Sequence, residues 1–329
     1  TNPNPKNGFS KVVIGHSHAA RIAALLAGAV AASFLGALRA EDEGDPLGAG
    51  GAVVDITPKP GVLMNGTTMT GIGPVKQIHD PLFARCLVLD NGETRMALVV
   101  CDVTVITRPV VKRAKALVKK QAGLPHGNVL ITATHTHMAP RVGFVSNELN
   151  DQYEEQIAKG IADSVQIAIR NLSPAKVGWG VGRKPDLPRN RRTLMEPGTV
   201  LVNPFGETTD RVLMGGHRRK GALGPAGPVD PEVSVLSVQH ADGRPLAVLA
   251  NFGIHYVCTL YTRRGRGIVS ADYFGHFADR LTELLDAGDG QPPFVGIMSN
   301  GASGDVNSAV MRDFDKVRQV GDLLAEEVA

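Results

Sequence analysis

The sequence has 329 residues, of which 43% are apolar, 20% charged and 5% aromatic. This composition excludes a disordered chain, because the apolar fraction is enough for a sizeable core. The net charge of +3 comes from residues 1–40, which hold four basic residues and no acidic one, so residues 41–329 carry a net charge of −1. That distribution argues against nucleic-acid binding.

A basic and apolar leader begins the sequence. Three basic residues precede a run of 17 mostly apolar residues over 22–38, and Ala40 offers a small residue for cleavage. The run is slightly shorter than the roughly 20 residues that span a bilayer. These features predict a signal peptide over residues 1–40 and a secreted or periplasmic protein, with an uncleaved membrane anchor or a buried helix as the alternatives.

The predicted elements then follow in chain order. A Gly-rich joint over 44–51 leads into a short strand, and a hairpin turns at residues 90–92, where Asp-Asn-Gly supplies positive φ. A helix is predicted over 108–122, with Thr107 as its N-cap and Gly123 as its stop.

A strand over 128–133 precedes a second helix over about 150–172, which is predicted to begin at Asn150 or Asp151. Residues 183–231 are rich in Gly, Pro and Arg and are predicted to form a long functional loop.

The last part of the chain predicts two further strands, a helix after Ser270 and a buried strand over 294–299. Strands alternate with helices and hairpins also occur, so residues 41–329 are expected to form one layered α/β domain with a mixed β-sheet flanked by helices. A helical pattern continues to Ala329 without a stop signal, which predicts a domain truncated at its C-terminus. Three cysteines lie in strand-like runs and are predicted to be buried, although Cys86 and Cys101 leave one disulfide open.

The segment His135-Thr136-His137 is the strongest candidate for chemistry. It follows directly on the predicted strand 128–133, and α/β sheets place their ligand crevices at the carboxyl ends of strands. In extended backbone, residues separated by one point to the same side, so a metal ion and a catalytic group can share this pair. Two exposed loop histidines are the alternative.

His255 ends a second apolar strand, and taken alone it also fits a hydrogen-bonded histidine at a strand end. Together with His135 it predicts a zinc site, because zinc favours imidazole nitrogen and hydrolytic zinc keeps one position open for water. The ring nitrogens of the two histidines are then expected within about 3–4 Å of each other.

Two further segments carry groups suited to an acyl substrate. The Gly-rich turn 301–307, with Gly304 and Asp305, follows the last buried strand, and its N–H groups can approach an oxyanion closely. An arginine of the segment Arg189-Asn190-Arg191-Arg192 offers a guanidinium fork for a carbonyl or carboxylate. His79 is predicted to enter the same crevice as a substrate-binding residue. A plain strand-exit turn and a solvated basic turn are the alternatives for the first two.

The order of these segments resembles the neutral/alkaline non-lysosomal ceramidase family. The likeness covers about residues 50–310, is closest to short bacterial homologues without the C-terminal immunoglobulin-like domain, and rests on the segments VDITP, DPLFAR, NVLITATHTHMAP, NRR, NFGIH, SADYFGHF and GASGDVN. The resemblance implies a zinc-dependent amidohydrolase of sphingolipid metabolism.

The resemblance also implies roles for single residues. His135 and His255 match the family's zinc ligands, while His137 and Arg191 match residues close to the substrate. The family completes its zinc shell with a Glu and a Tyr nearer the C-terminus, and nothing in this sequence matches them. Asn307 occupies the position of the family's GDVS serine, so a serine role is in doubt and Asn307 is the candidate catalytic residue there.

We therefore expect a secreted hydrolase that cleaves the amide bond of an N-acylsphingosine-type lipid with water activated by Zn²⁺. His137 would move a proton or stabilise the oxyanion, helped by Arg191 and Asn307. The expected partners are a small-molecule lipid or amide and, for a lipid, a membrane surface, with no nucleic acid. The alternatives are a zinc amidase or esterase acting on another extracellular compound, and a non-catalytic secreted binding domain that retains the fold.

Overall fold

Layers of helices and strands make up the described part of this computed structural model, which comprises residues 47–65, 72–258, 267–310 and 313–329. The predicted signal peptide, residues 1–40, lies outside the described residues. Among the helices of the described part, none has the length and apolar character that crossing a membrane requires.

The described residues form nineteen strands and four α-helices. In chain order they are β1 (Gly48–Asp55), β2 (Leu63–Asn65), β3 (Ile72–Pro74), β4 (Gln77–Ile78), β5 (Phe83–Asp90), β6 (Arg95–Cys101), β7 (Val105–Ile106), α1 (Arg108–Ala122), β8 (Val129–Ala133), β9 (Arg141–Val142), α2 (Glu148–Arg170), β10 (Ser173–Arg183), β11 (Pro188–Asn190), β12 (Arg192–Met195), β13 (Val212–Met214), β14 (Ala222–Pro225), β15 (Glu232–His240), β16 (Pro245–Phe252), β17 (Ile268–Val269), α3 (Asp272–Leu284), β18 (Val295–Asn300), β19 (Val306–Ser308) and α4 (Phe314–Val328).

The largest sheet has eight strands in the order β18-β16-β15-β10-β1-β5-β6-β8. Its neighbours are antiparallel except for the parallel pairs β16–β18 and β6–β8. Within the described residues β10 and β1 share two residue pairs, and a core lies between the two halves of the sheet, which consists of Ala49, Leu87, Val100, Val238, Leu246, Ala247, Val295 and Ile297. The sheet is therefore folded over, with its halves packed face to face.

Helices cover both outer faces of this folded sheet. The helices α1 and α2 share one core with β1, β5, β6 and β8, while α3 and α4 share another with β15, β16 and β18. The result is four layers, with helices outside and strands inside. The predicted fold class, a layered α/β domain with a mixed sheet flanked by helices, is confirmed.

Two glycines of β1 allow this strand to fit between the layers. A Cβ atom at Gly50 would come 2.0 Å from the carbonyl oxygen of Ala168 in α2, and one at Gly51 would come 2.6 Å from Cγ2 of Val295 in β18. The strand thus approaches its neighbours more closely than a side chain permits. The sequence analysis predicted a Gly-rich connecting segment over 44–51. This prediction is wrong for residues 48–51, because β1 already begins at Gly48.

The first two helices occur close to their predicted positions, and Thr107 is the N-cap residue of α1, as predicted. The side chain of Thr107 makes no cap hydrogen bond within the described chain. The helix α2 is capped by Asn147, whose side chain accepts the N–H of Asn150. The cap therefore precedes the predicted Asn150 or Asp151.

The segment 183–231, predicted as a long loop, contains short strands. Its strands β12, β13 and β14 form a three-stranded sheet. The strand β11 pairs with β19, with Arg189 opposite Asn307. This pairing joins the segment to the end of the chain that follows β18.

The three cysteines are buried thiols, which confirms their predicted burial. Cys86 and Cys101 lie on the paired strands β5 and β6 without forming the disulfide that the sequence left open. Burial raises the pKa of both thiols, so they are unreactive packing groups.

Candidate metal centre

The candidate residues lie after the carboxyl ends of three strands. His135 and His137 follow β8, His255 follows β16, and the turn 301–307 follows β18. The strands β8 and β18 are the two edge strands of the large sheet. Each is parallel to its neighbour, β6 and β16 respectively. Loops at the carboxyl ends of such strands form the crevices of α/β folds.

Three histidine rings meet at a single point in these loops. The Nε2 atom of His135 lies 3.0 Å from Nε2 of His255 and 3.2 Å from Nε2 of His137. The third side of the triangle, between His137 and His255, is also 3.2 Å. The expectation that ring nitrogens of His135 and His255 come within 3–4 Å is confirmed.

Backbone carbonyl groups fix the orientation of two of these rings. Nδ1 of His135 lies 2.7 Å from the carbonyl oxygen of Thr104, and Nδ1 of His255 lies 3.1 Å from that of Ser303. A carbonyl oxygen only accepts hydrogen bonds, so each Nδ1 carries the proton. When both rings are neutral, their Nε2 atoms therefore direct lone pairs at each other.

The backbone of the His135–His137 segment is not extended, contrary to the argument from sequence. His135 has φ +67°, a left-handed conformation that is uncommon outside glycine. Its N–H donates to the carbonyl oxygen of Val103 at 3.1 Å, and the N–H of Thr134 donates to that of Cys101 at 2.9 Å. The two rings therefore meet because of a tight left-handed bend that these hydrogen bonds hold.

Burial favours the neutral form of His137 and His255. Burial, followed by the proximity of His135 and His255, lowers the pKa of His137 to about 2. Burial also lowers the pKa of His255 to about 4, although its hydrogen bond to Ser303 acts in the opposite direction. Both imidazoles are therefore uncharged at neutral pH, which is the form that binds a metal ion.

The cluster fits a divalent metal ion. Among the described residues, His135, His137 and His255 form a group that could hold one. Two ligands of a tetrahedral zinc at 2.0–2.1 Å lie about 3.3 Å apart, close to the 3.0–3.2 Å spacings of the three Nε2 atoms. The geometry makes His137 a third candidate metal ligand, in addition to the catalytic role that the sequence predicted.

Arg191 lies next to this cluster and is held by the Gly-rich turn. Its Nη2 donates to the carbonyl oxygen of Gly304, and its N–H donates to that of Asp305 at 2.8 Å. Its positive charge contributes to the lowered pKa of both His137 and His255. The carbonyl oxygen of Gly304 thus holds the guanidinium group, and the carbonyl oxygen of Asp305 holds the backbone of Arg191.

Asn307 presents a polar atom without a partner. Its Oδ1 atom is buried and has no hydrogen-bond donor among the described residues. Buried acceptors are nearly always paired in native proteins, so this amide oxygen is available to a donor group on a ligand. Nε of Arg191 is likewise buried and unpaired within the described residues.

His79 lies in a different cavity. Its ring stacks on Phe314, with the centroids 3.5 Å apart, and it lines a cavity of about 240 Å³ with Asp80, Arg85 and other residues. None of the three histidines of the cluster is among the described residues that line this cavity. The structure therefore does not bring His79 together with the other candidate residues.

The sequence profile described as "neutral/alkaline non-lysosomal ceramidase, N-terminal" matches residues 48–319. The chain belongs to this family. The resemblance that the sequence motifs indicated is thereby confirmed.

Known members of the family share the fold and are longer. The neutral ceramidase of Pseudomonas aeruginosa is 27% identical over 196 residues, which are 54% of this chain and 25% of that protein. The crystal structure of neutral ceramidase from this organism matches with a TM-score of 0.64 and 22% identity, over 86% of this chain and 44% of the other. A structure of ceramidase complexed with C2 matches with a TM-score of 0.63 and 21% identity, over 86% and 43%. The chain thus spans less than half the length of these relatives.

Sequence reasoning missed two side chains that support the ceramidase-family site. Tyr256 stacks on His137, with the ring centroids 4.1 Å apart. Asp272 is buried and accepts the N–H groups of Val257 and Cys258 at 2.9–3.3 Å, which fixes the chain directly after the histidine of the later strand. The sequence shows Tyr256 directly after His255, and Asp272 is the acidic residue of the SADYF segment. These two positions could have indicated the supporting side chains.

Proposed function

We propose that this protein is a zinc-dependent hydrolase that cleaves the amide bond of an N-acyl lipid of the ceramide type. One observation carries the proposal, namely three imidazole rings whose Nε2 atoms lie within 3.2 Å of each other after the ends of two strands. The chain's membership of the ceramidase family supports amide hydrolysis, and its similarity to the neutral ceramidase of Pseudomonas aeruginosa supports ceramide as substrate.

The three histidines would hold the metal ion through Nε2. The carbonyl groups of Thr104 and Ser303 keep the Nδ1 protons of two of the rings in place. A zinc ion bound there would polarise the substrate carbonyl and lower the pKa of a water molecule. Oxygen, nitrogen and sulfur donors all bind divalent ions, but an all-imidazole set favours zinc over calcium or magnesium.

Arg191 and Asn307 would orient the substrate. The guanidinium group donates to the carbonyl oxygen of Gly304, and the main-chain N–H of Arg191 donates to that of Asp305. The guanidinium group would stabilise the negative charge that develops on the carbonyl oxygen of the substrate. The unpaired Oδ1 of Asn307 would accept a hydrogen bond from a hydroxyl or amide N–H group of the substrate.

Water is the nucleophile in this proposal. The position that carries serine in the family's GDVS segment is Asn307 here, and an amide side chain has no hydroxyl group to attack the acyl carbon. The oxygen of water would therefore join the acyl carbon, the C–N bond would break, and the leaving amine would take up a proton. The products would be a fatty acid and a free amine.

A substrate panel tests this function. The intact protein, loaded with zinc, is incubated with long-chain ceramide, a short-chain water-soluble N-acyl amine, and the ester of the same acid, and released fatty acid is measured. We expect hydrolysis of both amides. Hydrolysis of the ester alone would support the esterase alternative, and turnover of none of the substrates would support a binding domain.

Secretion through the predicted leader stays a prediction.

A further inference from the structure

Residues 188–225 form a positively charged part of the protein, which we call the basic lobe. It holds seven basic and three acidic residues, a net charge of +4, whereas residues 41–329 together carry −1. Its core is the three-stranded sheet of β12, β13 and β14. The charge of the described domain is therefore unevenly distributed.

The loop between β12 and β13 exposes large apolar side chains. Leu201 is 81% exposed, Val202 is 61% exposed and Phe205 is 89% exposed. Single exposed apolar residues are ordinary, but several within five positions of one loop mark an interaction surface.

One face of the small sheet extends this apolar character. Val212 pairs with Leu194 and Met214 pairs with Arg192, and residues directly opposite each other on paired strands lie on the same face. Val212 and Met214 are 44% and 55% exposed, while Thr193 and Met195, on the other face, are buried. The exposed face therefore combines apolar side chains with a guanidinium group.

The basic lobe is directly connected to the candidate metal centre. Arg191 immediately precedes β12, and its carbonyl oxygen accepts the N–H of Gly215, which follows β13. The strand β11 that precedes Arg191 is paired with β19. A surface that bound the lobe would consequently lie close to the crevice where the substrate is expected.

We propose that the basic lobe docks on the surface of an anionic membrane. Leu201, Val202 and Phe205 would insert among the lipid headgroups, and exposed Arg and Lys side chains of the basic lobe would contact lipid phosphates and carboxylates. Charge complementarity favours this occupant, because a +4 lobe on a domain of net charge −1 is attracted to an anionic surface. The purpose of docking, which is access to a bilayer substrate, rests on the proposed function, whereas the docking itself does not.

Vesicle binding tests the proposal. The intact protein is sedimented with phosphatidylcholine vesicles that contain or lack phosphatidylserine. We expect binding to the vesicles with phosphatidylserine and its loss at high salt. The variants Leu201→Ser with Phe205→Ser, and Arg218→Gln with Arg219→Gln and Lys220→Gln, should each lower the bound fraction about tenfold or more.

Matched controls separate the lobe from exposed residues elsewhere. Leu130→Ser removes a leucine that is 55% exposed on β8. A triple variant, Lys112→Gln with Lys119→Gln and Lys120→Gln, removes three exposed charges from α1. Both controls should bind as the wild type does. Equal loss in the α1 variant, no binding by the wild type, or a change of oligomeric state in place of vesicle binding would each overturn the proposal.

The hydrolysis of two substrates distinguishes failure of docking from failure of the proposed function. Lobe variants should lose activity on ceramide in anionic vesicles and keep activity on a water-soluble N-acyl amine. Lobe-dependent vesicle binding without hydrolysis of either substrate would leave docking intact and contradict the proposed function. Equal loss of activity on both substrates, with vesicle binding unchanged, would overturn docking. Circular dichroism and thermal melting establish that each variant is folded.

Discussion

The Nε2 atoms of His135 and His255 lie 3.0 Å apart, although 120 residues separate them in the chain. In a neutral ring whose Nδ1 donates to a carbonyl group, Nε2 has no proton to donate. Two lone pairs at that distance repel each other unless a cation lies between them. This relationship makes metal binding the first property to measure.

We expect the intact protein, purified without chelators, to contain about one zinc ion per chain. His135→Ala and His255→Ala should each lose it, because each removes one converging nitrogen. His126→Ala, a change at an exposed histidine outside the cluster, should retain it. Elemental analysis by mass spectrometry gives the stoichiometry, and a metal-free wild type reconstituted with excess zinc and still empty would contradict the assignment.

Arg191→Gln should lower kcat/KM for a water-soluble amide by about 10²-fold to 10³-fold, mainly through kcat, because the guanidinium group would act on charge that develops in the transition state. Zinc content should be unchanged. Arg192→Gln is the matched control, since Arg192 is exposed and adjacent in sequence, and it should leave kcat/KM within about twofold. An equal loss in both variants would assign the effect to the general charge of the segment.

Much of this site could be predicted from sequence because its members terminate apolar strands. The apolar strand patterns end just before His135 and His255. Because α/β sheets place ligand crevices at the carboxyl ends of strands, the two histidines could be expected to lie close together. The position of His137 as a third converging ring could not be predicted, since it depends on the φ of +67° at His135. The carbonyl groups of Thr104 and Ser303 also leave no signal in the sequence, because every residue has one.

The fold shows the same division between local and long-range information. The helix over 108–122 is encoded by its own apolar spacing and by the glycine that follows it, and the structure has it at Arg108–Ala122. The start of β1 at Gly48 was not predictable, because glycine favours loops unless a close approach such as that to Ala168 requires it. The folding of the large sheet onto itself likewise depends on contacts between distant strands.

Asp272 should make stability depend on pH between about 4 and 6. Burial raises the pKa of this carboxyl group from 3.8 to about 6, so the folded state binds its proton more tightly than the unfolded state does. The free energy of unfolding should therefore fall as the pH rises through this range. Asp272→Asn should remove that slope, as measured by urea unfolding of wild type and variant at several pH values. A steeper slope in the variant would contradict the sign.

The buried ion pair between Arg85 and Asp102 should be the most sensitive charged contact of the hairpin β5–β6. Their side chains are 7% and 1% exposed, so Asp102→Ala leaves a guanidinium group buried without its partner. We expect a loss of about 3–5 kcal/mol in the free energy of unfolding. The control is Asp90→Ala, which breaks the pair with Arg95 at the solvent-accessible end of the same hairpin and should cost about 1 kcal/mol or less.

Gly50→Ala should destabilise the protein although alanine adds a single methyl group. That group would lie 2.0 Å from the carbonyl oxygen of Ala168, so β1 and α2 would have to separate, at a cost of about 1–3 kcal/mol or more. Gly178→Ala in β10 is the matched control, because a Cβ atom there meets nothing within 4 Å. It should leave stability unchanged or raise it by up to about 1 kcal/mol. Thermal melting of both variants measures the difference, and equal melting temperatures would show that β1 does not require the close approach.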